Sequence, residues 1–250
     1  MVFKKRGVCV LSGCFFLALT QPLCAQFGGS SIEYPFCFGL AAGYTNNTLY
    51  RGGADLYEAT TKWESGHGLT ATFVVQYRFF DWLAAQVELG YTQKNFSYKR
   101  KLSQMSEVYE YTTNHFLELP LLVHGSFVIG DTGIRIFACA GGFAGFWFAG
   151  YRKGVAPTVS INAQTNSAPA YEFDEWYEFD DRRDNRFEFG LAGGMGVQYD
   201  FEVFSIFFDW RFNYGLSDLQ KEYYSHYFIP QKNDTWIIRL GVLITGEIFG

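Results

Sequence analysis

The stretch TATFVVQYRFFDWLAAQVELGYTQ, residues 70–93, alternates twice in succession. From Leu69 one row reads Leu69, Ala71, Phe73, Val75, Tyr77 and Phe79, and the other Thr70, Thr72, Val74, Gln76 and Arg78. After Asp81-Trp82 the pattern restarts. Leu83, Ala85, Val87, Leu89 and Tyr91 now oppose Ala84, Gln86, Glu88, Gly90 and Thr92. A period of two sends successive side chains to opposite faces, so this spacing predicts two half-buried strands joined by a tight turn. The apolar row faces either a protein core or lipid, and the rest of the chain has to decide which.

The same alternation recurs in FCFGLAAGYT (36–45), YTTNHFLELPLLVHGSF (111–127), RFEFGLAGGMGVQY (186–199), EVFSIFFDWRFNYGL (202–216) and TWIIRLGVLITGEIF (235–249). IRIFACAGGFAGFWFAGY (134–151) is apolar in both rows. Read as a helix, its residues 136–150 would reach about 22 Å, short of the roughly 30 Å hydrocarbon core. Its glycines and aromatics suit a strand better. The count is then eight strands, and the links alternate in length. Those near 81–82, 130–132 and 200 are short. Those at 46–68, 95–108, 152–185 and 217–234 are long. Long loops at one end and short turns at the other are the rhythm of membrane barrels, which a soluble sandwich has no reason to adopt. A lipocalin-like soluble barrel would show the same alternation, but with the apolar row inside.

Bulk properties agree with lipid outside. Mean hydropathy is −0.04, which excludes a bundle of membrane helices but not a barrel whose polar lining dilutes the average. The net charge of −5 and the absence of a basic stripe give no sign of nucleic acid as a partner. Lys4, Lys5 and Arg6, the apolar run 7–19 and LCA before Gln26 read as a signal peptide, residues 1–25, cleaved after Ala25. LSGC at 11–14 is an alternative lipoprotein box ending at Cys14. Either segment exports the chain. Residues 26–250 are then one domain, in which Cys37 and Cys139 read as two buried free thiols.

The expected fold class is therefore all-β: a closed antiparallel up-and-down transmembrane β-barrel of eight strands in a bacterial outer membrane. Tyr77, Phe79, Trp82, Tyr91, Tyr199, Tyr214 and Trp236 fall near strand ends, as interfacial girdles require. FLELPLLV (116–123), FEFGLAGGMGVQY (187–199) and WRFNYGLSDL (210–219) together resemble the PorT-like outer-membrane β-barrel family, small barrels of OmpA-type architecture. The resemblance spans most of residues 26–250. It implies location and fold, with outer-membrane lipid and, during biogenesis, the barrel-assembly machinery as partners. It implies little about activity. Such barrels end on an aromatic residue, whereas here Phe249 precedes Gly250.

With lipid outside, the inward row carries charge of both signs: Arg78, Glu88, Glu118, Arg135, Glu188, Asp209, Arg211 and Arg239. Charges inside a narrow barrel must pair. Glu88 and Glu118 as an acid–base couple would need a cleft, which a barrel of this size fills with side chains. His124 has no nucleophile motif beside it. The expectation is a non-enzymatic protein without cofactor or catalytic residues. Glu88→Gln is expected to be mild unless Glu88 pairs with a buried arginine.

YEFDEWYEFDDRRD (171–184) is the sharpest local feature. Tyr171, Asp174, Glu175, Trp176, Tyr177, Asp180 and Asp181 are candidates for binding a surface ligand of unknown identity, set against a plain solvated loop. The spacing is not that of an EF-hand. Alternating aromatics predict that the fifth and sixth strands rise above the bilayer as a hairpin, with a mobile, protease-sensitive tip at 164–168. The expected role is an envelope component with long external loops for surface binding, notably 152–185. A narrow transporter or channel for small solutes and an outer-membrane lipid-modifying enzyme are the alternatives.

Overall fold

A computed structural model describes residues 35–51, 61–103, 106–157, 170–221 and 231–245. The signal segment, the 164–168 tip and Phe249 lie outside them. The described strands are β1 (Phe36–Arg51), β2 (Thr61–Phe80), β3 (Leu83–Ser103), β4 (Ser106–Val128), β5 (Ile134–Pro157), β6 (Ala170–Trp176), β7 (Phe187–Asp200), β8 (Phe204–Gly215) and β9 (Gln231–Thr245).

Eight of them close a ring. Each of β1 to β4 pairs antiparallel with the next, β5 pairs with β7, β7 with β8, β8 with β9, and β9 returns to β1. Closure satisfies every ladder group without leaving an edge. β6 stands outside the ring and pairs only with the far end of β5, from Tyr151↔Trp176 to Pro157↔Ala170. The β5–β6 hairpin thus forms, but β6 is not continuous with β7. After Trp176, where the alternation fails, the chain turns inward over residues 177–186.

The period of two sets which side faces where. Leu69 is 62% exposed and Leu89 50%, whereas Val74 is 0% and Glu88 1% exposed. On β8 the outward row runs from Phe204 to Tyr214, about 34 Å of strand, or roughly 25 Å of height at a ~40° tilt. Aromatics bracket this band. Phe36 meets Tyr77 edge-on at 4.9 Å, and Tyr199 meets Phe201 at 4.7 Å, at the short-turn end. Trp236 lies 5.0 Å from Trp210 and 4.4 Å from Phe212 at the other.

One expectation from the sequence needs correction here. The links read as loops at 46–68 and 95–108 are mostly strand: β1 runs on to Arg51, β2 begins at Thr61, β3 reaches Ser103 and β4 begins at Ser106. Beyond the apolar band both faces can be polar, so the period disappears from the sequence while the backbone ladder continues. Surface pairs such as Lys62–Glu64 at 3.2 Å decorate these extensions.

On β5, read as apolar in both rows, the inward row is apolar too. Phe137, Cys139, Phe143 and Trp147 are all buried. They fit because glycines face them across the β5–β7 ladder, with Phe137↔Gly196 and Phe143↔Gly190 in register. A Cβ at Gly190 would lie 2.4 Å from the Phe143 ring, and one at Gly196 2.4 Å from that of Phe137. Large-against-small pairing closes the lumen on that side. Cys37 and Cys139 are both buried and unpaired.

Candidate functional site

The lumen is built in layers. At the short-turn end Arg135 donates to Asp200 at 3.1 Å and to the Asp81 carbonyl at 2.5 Å. A void of about 20 Å³ there, lined by Gln76, Arg78, His124 and Gln198 among others, has room for a single water. Above it lies an apolar layer of Cys37, Ala41, Val74, Phe137, Phe207 and Leu243.

The next layer is a closed charge cluster. Arg211, on β8, makes a two-pronged contact with Glu88 on β3, at 3.0 and 2.9 Å, and a third bond to Asp209 at 3.1 Å. Arg239, on β9, contacts the same two oxygens of Glu88 at 2.6 and 3.0 Å and both oxygens of Asp209 at 3.0 and 2.5 Å. Thr72 accepts from Arg239 at 3.0 Å, and Gln86 donates to Glu88 at 2.5 Å. Two carboxylates and two guanidiniums cancel, with every charged group at most 2% exposed. Fork-shaped guanidinium donors suit this geometry because they satisfy both oxygens at once.

A second charged layer follows toward the long-loop end. The Lys94 ammonium sits 2.6 Å from Glu118 and 2.6 Å from Glu188. It also lies over the rings of Phe116 and Phe143, at 4.9 and 4.7 Å. Thr92 donates to Glu118 at 3.0 Å. Beside it Asn47 donates to Asn233 at 3.1 Å and accepts from Thr235 at 2.8 Å. Leu49, Phe116, Trp147 and Leu219 roof these polar groups.

Of the eight charges expected in one network, the structure joins Glu88, Asp209, Arg211 and Arg239 in the first layer. Glu118 and Glu188 belong to the second. Arg78 and Arg135 stand apart at the short-turn mouth. Lys94 was missed, although its parity continues Glu88, Gly90 and Thr92. It sits where both rows turn polar, just past the alternating stretch that ended at Gln93 and just before the link read at 95–108.

The open end is shaped by residues 177–186. Tyr177 stacks on Trp147 at 5.2 Å, and Phe179 meets Trp147 edge-on at 4.8 Å. Asp184, 3% exposed, clamps the turn. It accepts from Tyr177 Oη at 2.9 Å, the Asp180 amide at 2.8 Å and Arg183 at 2.9 Å. The segment is tied to the strand end before β9 by Asn185, whose amide donates to the Leu219 carbonyl at 2.9 Å. Among the seven candidates from 171–181, only Tyr177 points into the mouth. Tyr171 and Trp176 are 52% and 65% exposed; Asp174 pairs with Lys153 at 3.6 Å on the outer face of the hairpin, and Glu175, itself exposed, pairs at 2.8 Å with Arg152, which lines the mouth. Asp180 and Asp181 are exposed at the turn.

Burial disfavours the charged form of Asp184, but hydrogen bonds from Arg183, the Asp180 amide and Tyr177 outweigh it and hold the carboxyl below its ordinary value. Burial, then the Asp184 charge, raises the Tyr177 hydroxyl well above the usual phenol value. Burial, then Glu110, pushes Tyr98 up to about 12. Both phenols therefore stay protonated as donors. Because the Asp184 value is depressed on folding, its contribution is present above the unfolded value of about 3.9 and is lost as pH falls through the folded one. The protection factor of the Asp180 amide is expected to hold from neutral pH to about pH 4 and to collapse below. Loss of protection already near pH 6 would refute the clamp.

Among the described residues, no three His, Cys, Asp or Glu side chains converge so as to hold a metal ion. A family model described as "Outer membrane protein beta-barrel domain" matches residues 25–221. The chain is also similar to the solved Neisserial surface protein A at 13% identity, covering 83% of this chain and 96% of that one, with a TM-score of 0.37. OprG from Pseudomonas aeruginosa shares 14% identity over 85% of this chain and 96% of that one, with a TM-score of 0.39. Ail, the attachment invasion locus protein of Yersinia pestis, solved in complex with the heparin analogue sucrose octasulfate, shares 12% identity over 84% and 99%, with a TM-score of 0.36. No curated protein sequence matches.

Proposed function

The chain belongs to the outer membrane protein β-barrel domain family, and from that premise we propose that it is a non-conducting, non-enzymatic envelope protein that acts at its external rim. The observation that carries this reading is the double charged layer across the lumen. Glu88, Asp209, Arg211 and Arg239 form one layer and Lys94, Glu118 and Glu188 the other, with apolar layers on both sides. A solute crossing the lumen would have to break several charge-assisted hydrogen bonds in a dry environment, where they are strongest. An eight-stranded ring has little more room than its side chains fill.

Surface binding then falls to the external end, where β3, β4 and the β5–β6 hairpin rise above the apolar band. The motifs at 116–123, 187–199 and 210–219 support a PorT-like placement within the family. A signal peptide at 1–25 and insertion by the barrel-assembly machinery accord with that placement. The test is planar-bilayer recording of the purified, heat-modifiable barrel. No unitary conductance is expected. Stable steps would sink the reading and favour the narrow channel or transporter instead.

A further inference from the structure

The external mouth holds a cavity of about 230 Å³ that the closed lumen leaves open to the outside. Its walls come from β2, β3, β4 and β5 and from the infolded segment 177–186. Trp63, Phe96, Trp147 and Tyr177 give it aromatic sides. These rings are held by one another: Trp63 lies 6.0 Å from Phe96, and Tyr177 stacks on Trp147 at 5.2 Å. They are rigid surfaces rather than mobile side chains, and so lose little freedom when a ligand covers them.

Both arginines that line the cavity are already in ion pairs. Arg152 donates to Glu175 at 2.8 Å and Arg183 to Asp184 at 2.9 Å. Glu110 accepts from Tyr98 at 2.9 Å and from Thr112 at 3.1 Å. Both donors to Glu110 are neutral, so its negative charge stays at the cavity wall and disfavours an anionic ligand. Among the described residues that line the cavity, two buried polar side-chain atoms have no hydrogen-bond partner. Asn114 Oδ1 belongs to a side chain only 1% exposed, which lines the cavity, and Arg152 Nε is likewise buried. A buried acceptor and a buried donor left unmade are costly, and both are recovered if a ligand supplies hydroxyls.

We propose that this cavity binds a single neutral pyranose ring, the terminal sugar of a glycan. Such a ring has an apolar C–H face and a hydroxyl edge. The aromatic sides suit the face. Asn114 Oδ1 accepts from one hydroxyl, and Arg152 Nε–H donates to another oxygen. The volume is several times the ~30 Å³ share of one water and lies below the ~300 Å³ at which pockets for larger ligands begin. It matches one ring, not an extended chain. The inference rests on the rim-binding reading for the site's orientation and deepens it by naming the ligand class.

The test uses the folded barrel in phosphatidylcholine nanodiscs, since a glycoside detergent would supply the ring itself. Methyl α-glucoside, methyl α-galactoside, methyl α-mannoside and N-acetylglucosamine are each titrated while tryptophan fluorescence reports on Trp63 and Trp147. At least one is expected to give a saturable change, with its affinity weakened tenfold or more in Asn114→Ala and in Arg152→Gln. Heat-modified gel migration shows that each variant is folded; Arg152, on the more exposed side, keeps the test open if Asn114→Ala does not fold. No saturable change with any of the four, or a change that persists in a folded variant, overturns the proposal. Repeating the titration in nanodiscs that contain lipopolysaccharide separates the sources. A weakened apparent affinity there assigns the sugar to the membrane's own glycolipid, and an unchanged one to a glycan arriving from outside. Conductance steps accompanied by sugar binding would defeat only the closed-lumen reading. A silent barrel without sugar binding would defeat only this inference.

Discussion

Glu88→Gln is expected to cost the barrel about 3–5 kcal/mol of unfolding free energy, the usual penalty for removing one partner of a buried charge cluster. The substitution keeps the shape of the side chain but leaves Arg211 and Arg239 facing Asp209 alone. One positive charge is then uncompensated in a layer where every group is at most 2% exposed. The condition under which this change would not be mild, a buried arginine partner, is met twice over. Urea titration in lipid vesicles measures the cost. Pairing the change with Arg239→Gln restores neutrality and is expected to recover part of the loss. A single-variant penalty under about 1 kcal/mol, the range of exposed pairs, would mean that water reaches this layer.

Leu89→Arg is expected to cost about 2–4 kcal/mol through a different route. Leu89 is 50% exposed on the outer face of β3, within the apolar band and one residue from Glu88. The charge is placed in hydrocarbon, not in a packed interior. Its penalty should therefore depend on the surroundings: large in a bilayer, smaller in a micelle that admits water around the guanidinium. Glu88→Gln should cost the same in both. Equal sensitivity of the two variants to that exchange would contradict the facing of β3.

The facing of β2 and β3 was legible because each row between Leu69 and Thr92 is chemically uniform, and one face of each strand meets lipid. The ring of eight followed from repetition of that pattern and from the rhythm of the links. Legibility failed where the surroundings stop selecting between rows. Above the apolar band both rows of β3 and β4 turn polar, so the strand extensions looked like loop and Lys94, fully buried at their edge, did not stand out. On β5 both rows are apolar, because Phe137 and Phe143 pack inward over Gly196 and Gly190 of β7. The mouth cavity was invisible for a third reason. Trp63, Phe96, Asn114, Trp147 and Tyr177 are brought together by ring closure and by the turn at 177–186, and no local spacing encodes that. The seven acidic and aromatic candidates formed a conspicuous run, yet of the seven Tyr177 alone lines the cavity.

The first charge layer also fixes an order of events. It is assembled from β3, β8 and β9, and Arg239 arrives on the strand that seals against β1. Asp209 and Arg239 face each other across the β8–β9 ladder, with Arg211 beside them, whereas Glu88 reaches them only across the β1–β9 seam. While the seam is open, Glu88 on one side and a surplus guanidinium on the other must keep their hydration. The channel axis is therefore wet for as long as the seam between β1 and β9 is open. It dries only when residues separated by most of the chain meet, the slowest class of contact to form. Sealing of the wall and expulsion of water are therefore expected to coincide.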